Sequence, residues 1–230
     1  MTDGLPAWCV FPGLVLVGYL AGSIPFGFLT GKIKGIDLRE HGSKNIGATN
    51  AGRVLGKKYF FLILLLDAGK GFLPTLAAGR LLGNTGLSPA VRHLMWLGVA
   101  FSAIAGHNWP LWLKFKGGKG VATSLGVVLA IYPFYTYPAI LALMIWGFVV
   151  KCTGYVSAGS IVAALGFLAA YLLLLAMLPA WTIREQWPLI TFASGMTAVL
   201  IFRHWSNIQR LRMGTEHKFL SEQDPTRQSS

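Results

Sequence analysis

Long apolar runs recur from one end of this 230-residue chain to the other, and they limit what it can fold into more than any other feature. A run of about 20 mostly apolar residues crosses the hydrocarbon core of a bilayer as a helix. Mean hydropathy is +0.57 and 12% of residues are charged, against about 25% in an ordinary soluble domain. One soluble core of this chain length is too small to hide all of these runs. The sequence therefore predicts an all-α, polytopic membrane protein.

Seven transmembrane helices are expected, at about 10–30, 59–78, 93–113, 120–131, 139–150, 157–178 and 188–202. The fourth and fifth share one apolar stretch, interrupted by YPFYTYP at 132–138. Two prolines among aromatic residues break a helix and suit an interfacial turn. With seven alternating spans, sixteen of the twenty Lys and Arg residues fall on one side of the membrane. Only Arg80, Arg92 and Arg184 fall on the other, and Lys70 lies within a span. Fusing the two short spans would spoil that asymmetry. Positively charged loops stay in the cytoplasm, which puts the N-terminus outside and the C-terminus in the cytoplasm. The expected organisation is one membrane domain over 1–216 and a polar cytoplasmic tail over 217–230.

The net charge of +12 would suggest nucleic acid in a soluble protein. Here the basic residues sit between spans, where insertion topology and anionic headgroups explain them, so no nucleic-acid partner is expected. Cys9 and Cys152 make no disulfide framework, and no secretory signal is expected, since Asp3 and no Lys or Arg precedes the first apolar run. The five histidines lack H-x₃₋₅-H spacing and there is no C-x-x-C, so neither metal nor other cofactor is expected.

The cytoplasmic loops carry more than charge. The first contains GSKNIGATN, Gly42 to Asn50, followed by Arg53. Glycines such as Gly42 and Gly47 let backbone N–H groups converge on an anion; Ser43, Asn45, Thr49 and Asn50 add donors, and Arg53 can fork onto a phosphate. An ordinary flexible loop with topogenic charge has the same composition. The second contains FKGGKG, in which Gly117, Gly118, Lys119 and Gly120 lead into a helix, a place that attracts phosphate. It is not a Walker A loop, because Leu113 stands where that pattern needs glycine. His107, near a span end, taken by itself reads first as a hydrogen-bonded residue at a helix terminus. The third loop offers Ser157 and Ser160, oxyanion donors or helix-entry residues. In the fourth, Arg203, Asn207 and Arg210 share a helical face beside His204, with Glu216 beyond; a juxtamembrane helix gripping anionic lipid would look the same. Asp67 and Lys70, three residues apart within a span, read as a structural ion pair.

Taken together, these segments resemble the acyl-phosphate-dependent glycerol-3-phosphate acyltransferase family of bacterial membranes. The first loop is similar to its GS-x-N-x-GATN and RVLGKK motifs, the second to GH…FKGGKGVAT, and the end of the chain to RH-x-x-NI-x-RL-x-x-GTE. LLLDAGKGFLP, Leu64 to Pro74, resembles the family's second span. Lys44, where many members have glycine, and Trp205, where arginine is frequent, depart from the pattern. The resemblance implies transfer of an acyl chain from acyl phosphate to the sn-1 hydroxyl of glycerol 3-phosphate, giving lysophosphatidic acid and phosphate. This is the first committed step of phospholipid synthesis, at the cytoplasmic face of a bacterial inner membrane. It implies Ser43, His204 and Asn207 as catalytic residues. Substrate binding is expected at Gly42, Asn45, Gly47, Thr49, Asn50, Arg53, His107, Gly117, Gly118, Lys119, Gly120, Ser160, Arg203 and Glu216. Partners would be the two substrates and membrane lipid.

The alternative is a transporter of phosphorylated metabolites or anions, though such sites usually lie near the midplane on broken helices and often in inverted repeats, and none is visible here. The H-x₄-D motif of acyl-CoA-type acyltransferases is absent: the residues five beyond the histidines are Ile46, Gly98, Trp112, Gln209 and Glu222.

Overall fold

The computed structural model describes residues 7–83 and 85–218, and among these all regular structure is helical. Helix α1 (Ala7–Ser23) ends at Ile24-Pro25 and α2 (Phe26–Ile33) continues the run. Pro25 donates no N–H and pushes Ile24 out of helical geometry. The expected unbroken first span is therefore corrected to a broken one. Three turns of chain lead to α3 (Ala48–Leu55), a helix within the segment expected as a loop between the first two spans, and it packs against the start of α4 (Lys57–Gly83). Helix α5 (Pro89–Asn108) stops at Trp109-Pro110, so the expected third span, drawn to residue 113, is five residues shorter at that end; residues Leu111–Leu113 form a separate 3₁₀ turn.

The apolar stretch after the glycine loop divides as expected, but unequally. Helix α6 (Val121–Ala130) has 10 residues and is about 15 Å long, half a bilayer core. Helix α7 (Thr136–Thr153) reaches 18 residues because it gains residues at both ends of the expected span: Thr136, Tyr137 and Pro138 join its first turn, where a missing N–H loses no intrahelical bond, and Lys151, Cys152 and Thr153 extend its last. Helices α8 (Val156–Met177), α9 (Ile183–Arg203) and α10 (Trp205–Arg212) complete the chain. By length and composition four segments can cross a membrane: Ala7–Ile33, Lys57–Gly83, Thr136–Thr153 and Val156–Met177. Helices α5 and α9 match them in length, at 20 and 21 residues, and are more polar, carrying buried His93, His107, Asn108, Gln186 and Thr197.

Lipid is as apolar as leucine, so helix association in a bilayer rests on close packing and interhelical hydrogen bonds. Both are present. Helix α5 lies centrally, against α1, α4, α6 and α9. It meets α1 at Gly22, where a Cβ would collide with the Ala103 backbone, and α4 meets α6 at Gly126, where a Cβ would collide with Ala68. At the end away from the glycine loops, Tyr135 donates to the Leu189 carbonyl and turns its ring edge-on to Phe167 and Tyr171, at 5.3 and 5.1 Å. This knot ties α7, α8 and α9 together at one end. Their other ends are left to shape a cavity.

Candidate active site

A cavity of about 410 Å³ opens among the starts of α3, α6 and α8 and the ends of α9 and α10. Its mouth is polar and its depth apolar, lined by Leu125, Val128, Ala142, Trp146, Ala163 and Phe167 among others. Thirteen of the expected site residues line it: Ser43, Asn45, Gly47, Thr49, Asn50, Arg53, His107, Lys119, Gly120, Ser160, His204, Asn207 and Glu216. Gly42, Gly117, Gly118 and Arg203 do not, and their contacts show them shaping the loops instead.

The first loop is built around Asn50. Its carboxamide donates to the carbonyls of Leu38, His41 and Asn45 at 3.0, 3.0 and 2.8 Å and accepts the Ser43 N–H at 2.8 Å. That uses its hydrogen-bonding capacity, so Asn50 is the hub of the loop and not a free ligand donor. Asn45 is similarly engaged, accepting the Gly47 N–H at 2.9 Å in an Asx turn. Gly42 turns with φ +59°, and a Cβ there would strike the Asn50 side chain. Lys44 adopts φ +55°, which explains why glycine suits this position: a side chain in the left-handed region costs roughly 1–2 kcal/mol. The Ser43 hydroxyl has no hydrogen-bond partner among the described residues.

The second loop folds back on the end of α5. The N–H groups of Gly117 and Gly118 donate to the carbonyls of Asn108 and His107, each at 3.2 Å, while Arg203 donates to the Gly118 carbonyl and lies 5.7 Å from the Trp109 ring centre. Gly120, with φ +81°, then starts α6, so the first N–H groups of that helix border the cavity. Helix N-termini of this kind attract anions. Lys119 reaches across to the Asn207 carboxamide oxygen. Burial, reinforced by the charge of Arg210 and opposed by that of Glu216, brings its pKa down to about 8.

The last segment supplies the far wall. His204 stands between α9 and α10, and its Nδ1 lies 2.8 Å from the Leu200 carbonyl. A carbonyl only accepts, so Nδ1 carries the proton and Nε2 is the acceptor in the neutral ring. Burial, with the positive charge of Lys119, lowers its pKa to about 4, so the ring is neutral at pH 7. Glu216, nearly inaccessible, accepts from Ser157 at 2.8 Å, from Asn207 at 2.7 Å and from the Arg210 guanidinium at 2.7 Å. Burial alone would raise its pKa; the three hydrogen bonds and Arg210 outweigh it and hold the group ionised. Two expectations change here. Glu216 builds the site, since a carboxylate repels an anionic substrate, and the Asn207 amide is spent between Lys119 and Glu216, which makes it a bridge. Ser160 also uses its proton locally, donating to the Val156 carbonyl at 2.9 Å.

Arg210 and Asp67 line the cavity without having been expected as substrate-binding residues, and Ser157, offered by the sequence as an oxyanion donor or helix-entry residue, lines it too. Ser157 lies 59 residues from Glu216 in sequence, and no local pattern announces their contact.

A cationic mouth over an apolar slot, within an all-helical membrane bundle, suits an amphiphile with an anionic head. Residues 13–214 match the family described as glycerol-3-phosphate acyltransferase, and the chain belongs to that family. It is an integral membrane acyltransferase. The glycerol-3-phosphate acyltransferase of Desulforamulus reducens is 42% identical over 209 residues, covering 89% of this chain and 94% of that protein. That of Aquifex aeolicus is 41% identical over 206 residues, with 90% and 97% covered. Two crystal structures of PlsY (YgiH), an integral membrane glycerol 3-phosphate acyltransferase, have the same fold. Its glycerol 3-phosphate form is 37% identical with a TM-score of 0.77, covering 91% of this chain and 95% of that one. Its lysophosphatidic acid form is 36% identical with a TM-score of 0.74, covering 90% and 94%.

Proposed function

We propose that this protein transfers an acyl chain from acyl phosphate to the sn-1 hydroxyl of glycerol 3-phosphate, releasing lysophosphatidic acid and phosphate. The observation that carries this reading is the union, in one cavity, of Lys119, Arg53 and the α6 N-terminus with a slot lined by apolar side chains. One substrate is a small dianion; the other is a phosphate on a long hydrocarbon tail. A transporter would need neither an apolar slot beside the cationic mouth nor loops gathered at one end of the bundle. In the membrane the chain makes seven crossings, with α1 and α2 as one broken span and α6 as a half-length one. The N-terminus faces outward, and the site faces the cytoplasm of a bacterial inner membrane. Residues 1–216 form one domain and 217–230 a polar tail, of which 219–230 lie outside the described residues.

In the reaction the glycerol hydroxyl oxygen attacks the acyl carbon, the bond from that carbon to the phosphate oxygen breaks, and phosphate leaves with the electron pair. Acyl phosphate is a mixed anhydride with a good leaving group, so positioning and charge stabilisation do most of the work. Ser43 and the surrounding loop hold the acyl-phosphate head. Arg53 and Lys119 hold the phosphate of glycerol 3-phosphate. His204 accepts the hydrogen bond of the attacking hydroxyl through Nε2. With a pKa near 4 it is a weak general base at neutral pH, and the hydroxyl proton passes to the departing phosphate. Transfer is direct: among the described residues no histidine or carboxylate is bonded to the Ser43 hydroxyl to activate it as a nucleophile.

The donor and the acceptor position are tested by giving purified protein either palmitoyl phosphate or palmitoyl-CoA with glycerol 3-phosphate. Product from palmitoyl phosphate alone, acylated at sn-1, supports the reading; product from palmitoyl-CoA alone, or acylated at sn-2, overturns it. Two further outcomes follow from the site. Because Lys119 loses its charge as pH rises through about 8, KM for glycerol 3-phosphate is level below that value and climbs above it, measurable by initial rates from about pH 7 to about pH 9. Because Ala142 faces the slot, Ala142→Phe shortens it, and kcat/KM for hexadecanoyl phosphate relative to octanoyl phosphate falls about tenfold.

A further inference from the structure

Asp67, Lys70 and His107 form a buried charged cluster that the proposed chemistry does not use. The Lys70 ammonium lies 2.7 Å from Asp67 Oδ1 and donates at 2.7 Å to the Ile24 carbonyl, which sits at the helix break before Pro25 and also accepts the Phe26 N–H at 3.2 Å. It also sits 5.5 Å from the Phe26 ring centre. A buried ion pair is a poor device for stability alone, since apolar residues of equal volume do as well or better. Charged residues inside a membrane more often serve function.

The third member shows which function. The Asp67 carboxylate also faces His107 Nδ1, at 3.7 Å, too long for a hydrogen bond and close enough for strong interaction in this buried setting. Both residues border the cavity. The glycine loop rests on His107: a Cβ at Gly118 would collide with the imidazole, and the His107 and Asn108 carbonyls take the N–H groups of Gly118 and Gly117. The next residue is Lys119.

We propose that Asp67 is a positioning residue of this acyltransferase: fixed by Lys70, its carboxylate sets the His107 ring, and that ring with the two carbonyls sets the loop that presents Lys119. This rests on the reading of that loop as the glycerol 3-phosphate phosphate site. The carboxylate touches no substrate. Its effect reaches the reaction through where the Lys119 ammonium stands, and a misplacement of about 1 Å at such a group can cost up to a hundredfold.

The test uses KM, which does not depend on how much of the enzyme is folded. In the double variant Asp67→Asn/Lys70→Gln no charge is left buried without a partner. KM for glycerol 3-phosphate should rise roughly tenfold or more, with KM for palmitoyl phosphate changed less than about twofold. An unchanged KM for glycerol 3-phosphate overturns the inference and leaves Asp67 and Lys70 as a structural pair. Lys119→Met is measured in parallel: if it too leaves that KM unchanged, the phosphate-loop reading fails and the inference with it. If the double variant does not accumulate, Asp67→Asn is assayed in unpurified membranes, with the same two outcomes. Nitrogen-15 shifts of the His107 ring give a readout independent of turnover. They should move on Asp67→Asn, and an unmoved ring overturns the link between carboxylate and imidazole.

Discussion

Lys119→Met is expected to lower kcat/KM for glycerol 3-phosphate by roughly two to three orders of magnitude, while the protein stays folded. Removing one member of a buried charge-assisted contact costs about 2–5 kcal/mol. Most of that loss belongs to the substrate complex, where a phosphate dianion would face the cavity without this ammonium. Methionine keeps the apolar stem and its packing. Asn207 loses its donor from Lys119 but remains tied to Glu216. Lys119→Arg should rescue poorly, because the planar guanidinium needs a different approach to Asn207 and to a phosphate. Steady-state kinetics in detergent, varying each substrate in turn, checks this. A loss below about fivefold would remove Lys119 from the phosphate site.

Glu216→Ala should cost about 3 kcal/mol of stability and abolish measurable turnover. The carboxylate accepts from three side chains on two helices, so its removal strands the Ser157 hydroxyl, the Asn207 amide and the Arg210 guanidinium together. Each buried group left without a partner costs about 1–3 kcal/mol. Arg210 is a third exposed, regains water and contributes least. Turnover falls because Asn207, released from Glu216, no longer holds Lys119. Glu216→Gln keeps one acceptor oxygen and should retain part of both properties. The pH dependence carries a definite sign. The folded pKa of Glu216 is held below its ordinary 4.5, so its contribution is complete above that value and fades as acid carries the group through the lower, folded one. Thermal unfolding in detergent, with activity on the same samples, measures the pair. A Glu216→Ala protein of wild-type stability would contradict the network.

What the sequence made legible follows physical range. Apolar runs and glycine-rich loops are local; the runs marked the long helices, though not the short α3, and thirteen expected residues meet in one cavity. Ile24-Pro25 and Trp109-Pro110 were local signals too, and each marks a helix boundary that hydropathy alone runs through. Roles were less legible than positions. Asn50 and Ser160 have the right chemistry to bind a phosphate ester, and Glu216 was expected beside them, yet folding consumes the hydrogen bonds of all three within the protein. Only partners distant in sequence reveal that. The same holds for Asp67, whose neighbour Lys70 is visible at three residues' spacing, while His107 arrives from another helix. Lys44 runs the other way: its departure from glycine is readable in the sequence, and its left-handed backbone supplies the reason.

The most direct test of acyl transfer from acyl phosphate is a stoichiometry. Purified protein in detergent or lipid mesophase is mixed with palmitoyl phosphate and glycerol 3-phosphate, without CoA, carrier protein or added metal, and inorganic phosphate and lysophosphatidic acid are followed together. The account predicts that both appear in equal amounts and that omitting glycerol 3-phosphate stops both. Phosphate released without lysophosphatidic acid would make the site a hydrolase, and folded protein yielding neither product would contradict the account outright.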